Sequence, residues 1–179
     1  MRAAGVLAAL AALSVVAVSG PASAQAPRAG AAVITMEQDG HDLFFNAPET
    51  VERGQALKVK NATDPKKIGP HTFSLVNRKL IPKSQDEIKA CGQDFKGICG
   101  EVAEWHEFDF QSGEVGRNPV EVGKQGWNRQ GNLKRTGDSW VAEKENQSLS
   151  QKVSAPQGKT LHFFCAVHPE MQGKIRVEG

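Results

Sequence analysis

The fold is decided near the C-terminus, in Leu161-His162-Phe163-Phe164-Cys165-Ala166-Val167-His168-Pro169-Glu170-Met171. Its first half alternates: if Cys165 points inward at the end of a strand, Leu161 and Phe163 point inward too, while His162 and Phe164 face the other way. The inward set is apolar, as a strand with one face on a core requires. Outward from this segment the same style recurs. Strands are predicted at 148–155, 160–165 and 174–177 in the C-terminal part, and at 32–36, 42–46, 56–60 and 71–76 in the N-terminal part. Leu57 and Val59 alternate with Lys58 and Lys60, and Phe73 and Leu75 with Thr72 and Ser74. Asp39-Gly40 and the stretches 49–54 and 64–70 supply turns. Short strands at this spacing predict an all-β sandwich.

The stretch 81–140 differs in kind and reads as a long, partly helical insertion over one end or face of the sandwich. Ser84-Gln85-Asp86-Glu87 is a capping box, so a short helix is predicted to about Cys91. Ile98, Val102 and Trp105 then recur at helical spacing. Beyond Phe110 the chain is rich in Gly, Asn and basic residues, with Trp127 and Trp140 as isolated large apolar groups. Cys91 and Cys99 lie close enough to cross-link a small loop in an oxidising compartment, so a disulfide is expected. A second metal site of Cys91, Cys99 and His106 fits no common ligand spacing. His41, His106 and His162 read as surface or hydrogen-bonded structural histidines.

Residues 1–24 read as a signal peptide: one charge at Arg2, an apolar run to Val18, a Gly20-Pro21 break and a small-residue ending at Ala22-Ser23-Ala24. The expectation is export to a periplasm or the exterior, with no stable membrane insertion after cleavage. Residues 25–31 form a flexible leader of Ala, Pro and Gly, and 32–179 make one domain. The 22 basic side chains, one of them Arg2, nearly balance 20 acidic ones, which predicts no nucleic-acid partner. A monomer is expected.

The second half of the opening segment carries the chemistry. A thiol, an imidazole and a thioether follow one another in Cys165, His168 and Met171. Soft thiolate and thioether donors beside imidazole suit a copper ion that cycles between two oxidation states, and two His with one Cys under a weak axial Met describe an electron-transfer site. The second His must come from elsewhere. His71 opens a predicted strand after the Gly69-Pro70 turn, which places its ring at one end of the sandwich. His168, followed by Pro169, is expected to present its outer edge to solvent through a small apolar rim of Ala166, Val167 and Pro169.

With these residues in view, the segment resembles the ligand loop of the cupredoxins, the type 1 blue copper family, and its Cys-x2-His-x2-Met spacing is most similar to that of the amicyanins. The resemblance covers about 33–76 and 148–179, roughly half of the chain after the leader. It implies a Greek-key β-sandwich, one copper ion held by His71, Cys165, His168 and Met171, and outer-sphere electron transfer between redox partner proteins. It also places Asn61 at the family's Asn upstream of the first His, whose role is to tie the two ligand loops together. The gap from Asn61 to His71 is longer than the usual pattern, and the insertion is bulk that simple cupredoxins lack.

An enzyme is not expected: enzymes built on this fold pass electrons through a His adjacent to the ligand Cys, and the neighbours of Cys165 are Phe164 and Ala166. The alternative is a copper-binding protein for storage or delivery. Exchangeable delivery sites favour exposed Met-rich or His-rich donors, whereas this set mixes one inward thiol with imidazoles from distant segments. A third reading is a docking subunit that uses the insertion as its contact surface.

Overall fold

A computed structural model of the chain describes residues 30–123 and 125–179. The signal peptide expected at 1–24 and all but the last two residues of the expected leader lie outside the described residues. Among the described residues nine strands form two sheets: β1 (Ala32–Asp39), β2 (Asp42–Asn46), β3 (Thr50–Glu52), β4 (Ala56–Asn61), β5 (His71–Leu75), β6 (Ser139–Ala142), β7 (Ser148–Lys152), β8 (Thr160–Phe164) and β9 (Gln172–Glu178). The first sheet has the order β2-β1-β4-β7 and the second β3-β9-β8-β5-β6. The β1-β2, β5-β6 and β8-β9 pairs are antiparallel neighbours within one sheet, while the other connections cross between the sheets; among the described strand pairs β1/β4 and β3/β9 are parallel. This is the expected Greek-key sandwich.

The inward residues alternate as a period of two demands. Ile34, Met36, Leu57 and Val59 from one sheet meet Phe73, Leu75, Leu161, Phe163, Ile175 and Val177 from the other. Phe163 stacks on Phe73 and meets Phe45 edge-on.

The inserted stretch builds a second core rather than a loose cover. Helix α2 (Gln85–Asp94) starts at the Ser84 capping box, and α3 (Ile98–Trp105) follows after a short turn. The Cys91–Cys99 disulfide joins the two, with a Cα separation of 5.2 Å. Ile98, Val102 and Trp105 pack with Val76 and Phe164 against the outer face of the second sheet. So Phe164 does face away from Cys165, but onto the insertion. Further along, Trp127 turns back into the main core, where its indole N–H donates to the Leu57 carbonyl at 3.3 Å.

Three sequence expectations change. The stretch 49–54 contains β3, a three-residue edge strand too short for periodicity to reveal. The stretch 64–70 contains a helical turn, α1 (Pro65–Ile68), capped by the Asp64 side chain. The insertion returns to the sheet before 140, because Ser139 and Trp140 begin β6 and pair with β5. The outer edge of β6 is closed by Asn118, whose side-chain amide donates to the Val141 carbonyl and whose oxygen accepts the Val141 N–H. That side chain occupies the place of a further strand, which blunts the edge.

Just before β6 sits Asp138, 1% exposed. One carboxylate oxygen accepts the N–H groups of Asn128 and Arg129 at 2.6 and 2.7 Å, and the other is buried with no partner. Burial pushes its pKa up to about 6, against the pull of those N–H groups and Arg129, with Glu121 adding to the rise. A raised carboxylate pKa contributes stability that is present below the ordinary value near 4 and is lost as pH rises through about 6. The buried histidines titrate with the opposite sign, so the signature is a difference between proteins. In urea unfolding, wild type should lose on the order of 2 kcal/mol relative to Asp138→Asn between about pH 4.5 and about pH 7.5. Parallel pH profiles would show that Asp138 does not titrate in this range.

Candidate metal centre

Because β5 and β8 run antiparallel, the start of β5 and the end of β8 lie at the same end of the sandwich. His71 is the first residue of β5, and Cys165 follows β8 directly. Two segments more than ninety residues apart are thereby brought together. The loop after Cys165 closes tightly: the Cys165 N–H donates to the Met171 carbonyl at 3.0 Å, and the Met171 N–H to the His168 carbonyl at 2.9 Å. His168 is thus folded back toward His71.

Three donor atoms converge. Cys165 Sγ lies 3.8 Å from His71 Nδ1 and 3.7 Å from His168 Nδ1, and the two nitrogens are 3.1 Å apart. A circle through three points at these separations has a radius of about 2.1 Å, the length of a bond from a first-row metal ion to imidazole. Among the described residues, His71, Cys165 and His168 are the group of His, Cys, Asp and Glu side chains placed to hold a metal ion. Met171 is fully buried in the main core beside Cys165.

Each donor is oriented by its neighbours. His168 Nε2 is 2.9 Å from the Ile68 carbonyl, which can only accept, so Nε2 carries the proton and Nδ1 turns its lone pair to the cluster. His71 Nε2 is buried without a partner, which leaves Nδ1 as the working nitrogen of that ring. The sulfur of Cys165 accepts the backbone N–H groups of Thr72 and His168, each at 3.3 Å. Such bonds place positive dipoles on a sulfur that becomes electron-rich when it loses its proton.

Burial disfavours the charged form of every member. It lowers the His71 pKa to about 4, with His168 adding to the fall, and it holds His168 below the usual imidazole range. It raises the Cys165 thiol, against the lowering effect of the N–H donors from Thr72 and His168. The imidazoles are therefore neutral and ready to donate at neutral pH, whereas the thiol must release a proton on binding a metal. The chemistry of this set, one thiolate, two imidazoles and a nearby thioether, fits copper.

Two sequence readings of the surroundings are revised. Asn61 does not tie the ligand loops together; its side chain bonds Thr63 and the Lys144 carbonyl. Thr72 does the tying, since its hydroxyl accepts the Ala166 N–H at 2.8 Å while its own N–H reaches Cys165. Only its place next to His71 could have signalled this. The rim around His168 is also narrower than expected, because Ala166 and Pro169 are buried and His168 Nε2 is taken by Ile68. Helix α2 lies directly on this loop: a Cβ added at Gly92 would sit 2.9 Å from Pro169 Cδ. His106 is 2% exposed with both ring nitrogens hydrogen-bonded, and Cys91 and Cys99 are spent on each other, while His41 is exposed and His162 half-buried.

No family model and no curated protein matches this chain. Among solved structures it is similar to a dithionite-reduced auracyanin from the photosynthetic bacterium Roseiflexus castenholzii, with 15% identity, a TM-score of 0.41, and coverage of 86% of this chain and 100% of that one. It is also similar to auracyanin A, a "blue" copper protein from Chloroflexus aurantiacus, with 18% identity, a TM-score of 0.41, and coverage of 83% and 100%. A multicopper oxidase from Pediococcus acidilactici follows, with 11% identity, a TM-score of 0.37, and coverage of 88% of this chain and 28% of that one. Likeness at this level carries no argument about function, which rests on the side chains described above.

Cys165 is the free cysteine of the chain and is fully buried. Its thiol in the metal-free protein should react with iodoacetamide at least ~100-fold more slowly in the fold than in urea. Without reductant, mass analysis of the unfolded chain should show one modified cysteine. Two or three would mean that Cys91 and Cys99 are unpaired.

Proposed function

We propose that this chain is an exported, mononuclear type 1 copper protein that carries single electrons between redox partner proteins. The observation that carries the reading is the convergence of Cys165 Sγ, His71 Nδ1 and His168 Nδ1, 3.1 to 3.8 Å apart and supplied by two separated segments. When bound, copper supplies the one-electron exchange between Cu(I) and Cu(II). The protein's part is to hold two neutral imidazoles and one thiol in a fixed triangle, and His71, Cys165 and His168, with the thioether of Met171 beside them, would hold the ion. Burial of His71 and Cys165 keeps water from the donors, and the N–H groups of Thr72 and His168 steady the sulfur. A set drawn from the ends of two sheet strands holds a metal rather than handing it on, which favours electron carriage over storage or delivery. The N-terminal apolar segment supports export.

The test is optical. The mature protein with one equivalent of Cu(II) should be intensely coloured through a short copper–thiolate bond, bleach with ascorbate and recover on reoxidation. Cys165→Ser should abolish the colour even where metal is retained, and Cys91→Ser should leave it. Met171→Leu should keep copper and raise the reduction potential, because a donor that favours Cu(II) is lost. A colourless Cu(II) complex of the folded wild type would defeat the proposal in favour of storage or delivery.

A further inference from the structure

A buried line of polar groups runs from the insertion to the ligand loop. His106, at the end of α3, lies with Nδ1 2.7 Å from the Arg117 carbonyl and Nε2 2.7 Å from the Ser139 hydroxyl in β6. The carbonyl can only accept, so Nδ1 carries the proton and Nε2 accepts from Ser139; burial, which lowers the His106 pKa, keeps the ring in this neutral form. Ser139 Oγ is 2.7 Å from Ser74 Oγ, and Ser74 Oγ is 3.0 Å from Thr72 Oγ1, both in β5. Thr72 Oγ1 accepts the Ala166 N–H at 2.8 Å, and the Thr72 N–H reaches Cys165 Sγ at 3.3 Å. None of the four side chains is more than 5% exposed.

We propose that His106 is a positioning residue for the metal centre, acting through Ser139 and Ser74 to hold the Thr72 hydroxyl on the Ala166 amide and the Thr72 amide on Cys165 Sγ. The hydroxyls lie on the face of the second sheet that the insertion covers, where water does not replace a lost partner and each group depends on the next. An apolar cavity of about 40 Å³, lined in part by Thr72, Val102, His106, Ala166 and Val167, adjoins the line. It leaves room for the ligand loop to relax once the line is cut. A looser Thr72 amide donates less well to the sulfur, which makes the thiolate a stronger donor and favours Cu(II).

This deepens the copper reading and depends on it for the potential alone, so the experiment has two arms. In the metal-free protein, amide hydrogen exchange is measured for His106→Phe, for Ser139→Ala, which cuts the line at its centre with a minimal change of volume, and for His106→Gln, which restores a polar end toward Ser139. The two cutting variants should each speed exchange at Ala166 and Thr72 at least ~10-fold with β8 and β9 unchanged, and the double variant should add little to either. His106→Gln should recover most of the protection. In the copper-loaded proteins the cutting variants should shift the reduction potential downward. Unchanged Ala166 exchange in folded Ser139→Ala would overturn the proposal, as would an equal rise throughout both sheets. Absence of colour with the local exchange effect intact would overturn the copper reading and leave the line standing.

Discussion

Everything near the metal centre depends on the cost of burying three donor groups against one another. Two imidazoles and a thiol with donor atoms 3.1 to 3.8 Å apart, at the end of an apolar core, cannot take up charge as they would in water. Protonating both rings would set two cations face to face, and ionising the thiol alone would strand an anion. The fold answers with fixed neutral imidazoles and two backbone N–H groups on the sulfur. Those devices need the start of β5 and the loop after β8 in a constant relation, which is what the β5/β8 pairing and the Thr72 hydroxyl provide.

The insertion belongs to this arrangement. In a two-layer sandwich one face of each sheet meets water, but β5 is buried on both faces, because α2, α3 and the chain beyond them cover its outer side. Covering that face turns Thr72, Ser74 and Ser139 from solvated groups into groups that must satisfy one another. The absence of a side chain at Gly92 lets α2 approach Pro169 and Val167, so the ligand loop is packed from above as well as tethered from below.

The strands were legible wherever apolar and polar residues alternated for five residues or more, and β2 was read with its observed bounds. The short β3 has too few residues for a period to register, and β6 reads Ser-Trp-Val-Ala, buried throughout, with no alternation. Three of the donors were legible as a chemical set because Cys165, His168 and Met171 sit within seven consecutive residues. His71 was found by its position at a strand start, and the convergence of its ring with the others is what the structure adds. Thr72 escaped notice and His106 was read no further than a surface or hydrogen-bonded structural histidine, because their contacts run across 94 and 33 positions of sequence, and Thr and His at such places have no distinctive local pattern.

Trp127 gives the insertion a status its sequence conceals. Although it belongs to the inserted stretch, it is fully buried in the main core, edge-on to Phe73, with its backbone bonded to Lys152, Ser154 and Ala155. A shortened chain that joined Val76 to Asp138 directly would take away this plug and open a void the size of an indole beneath the strand that carries His71, a loss on the order of 3–5 kcal/mol before the exposure of Phe164 is counted. What was added to the sandwich has become irremovable: engineering toward a minimal version of this protein must redesign the core first, and trim second.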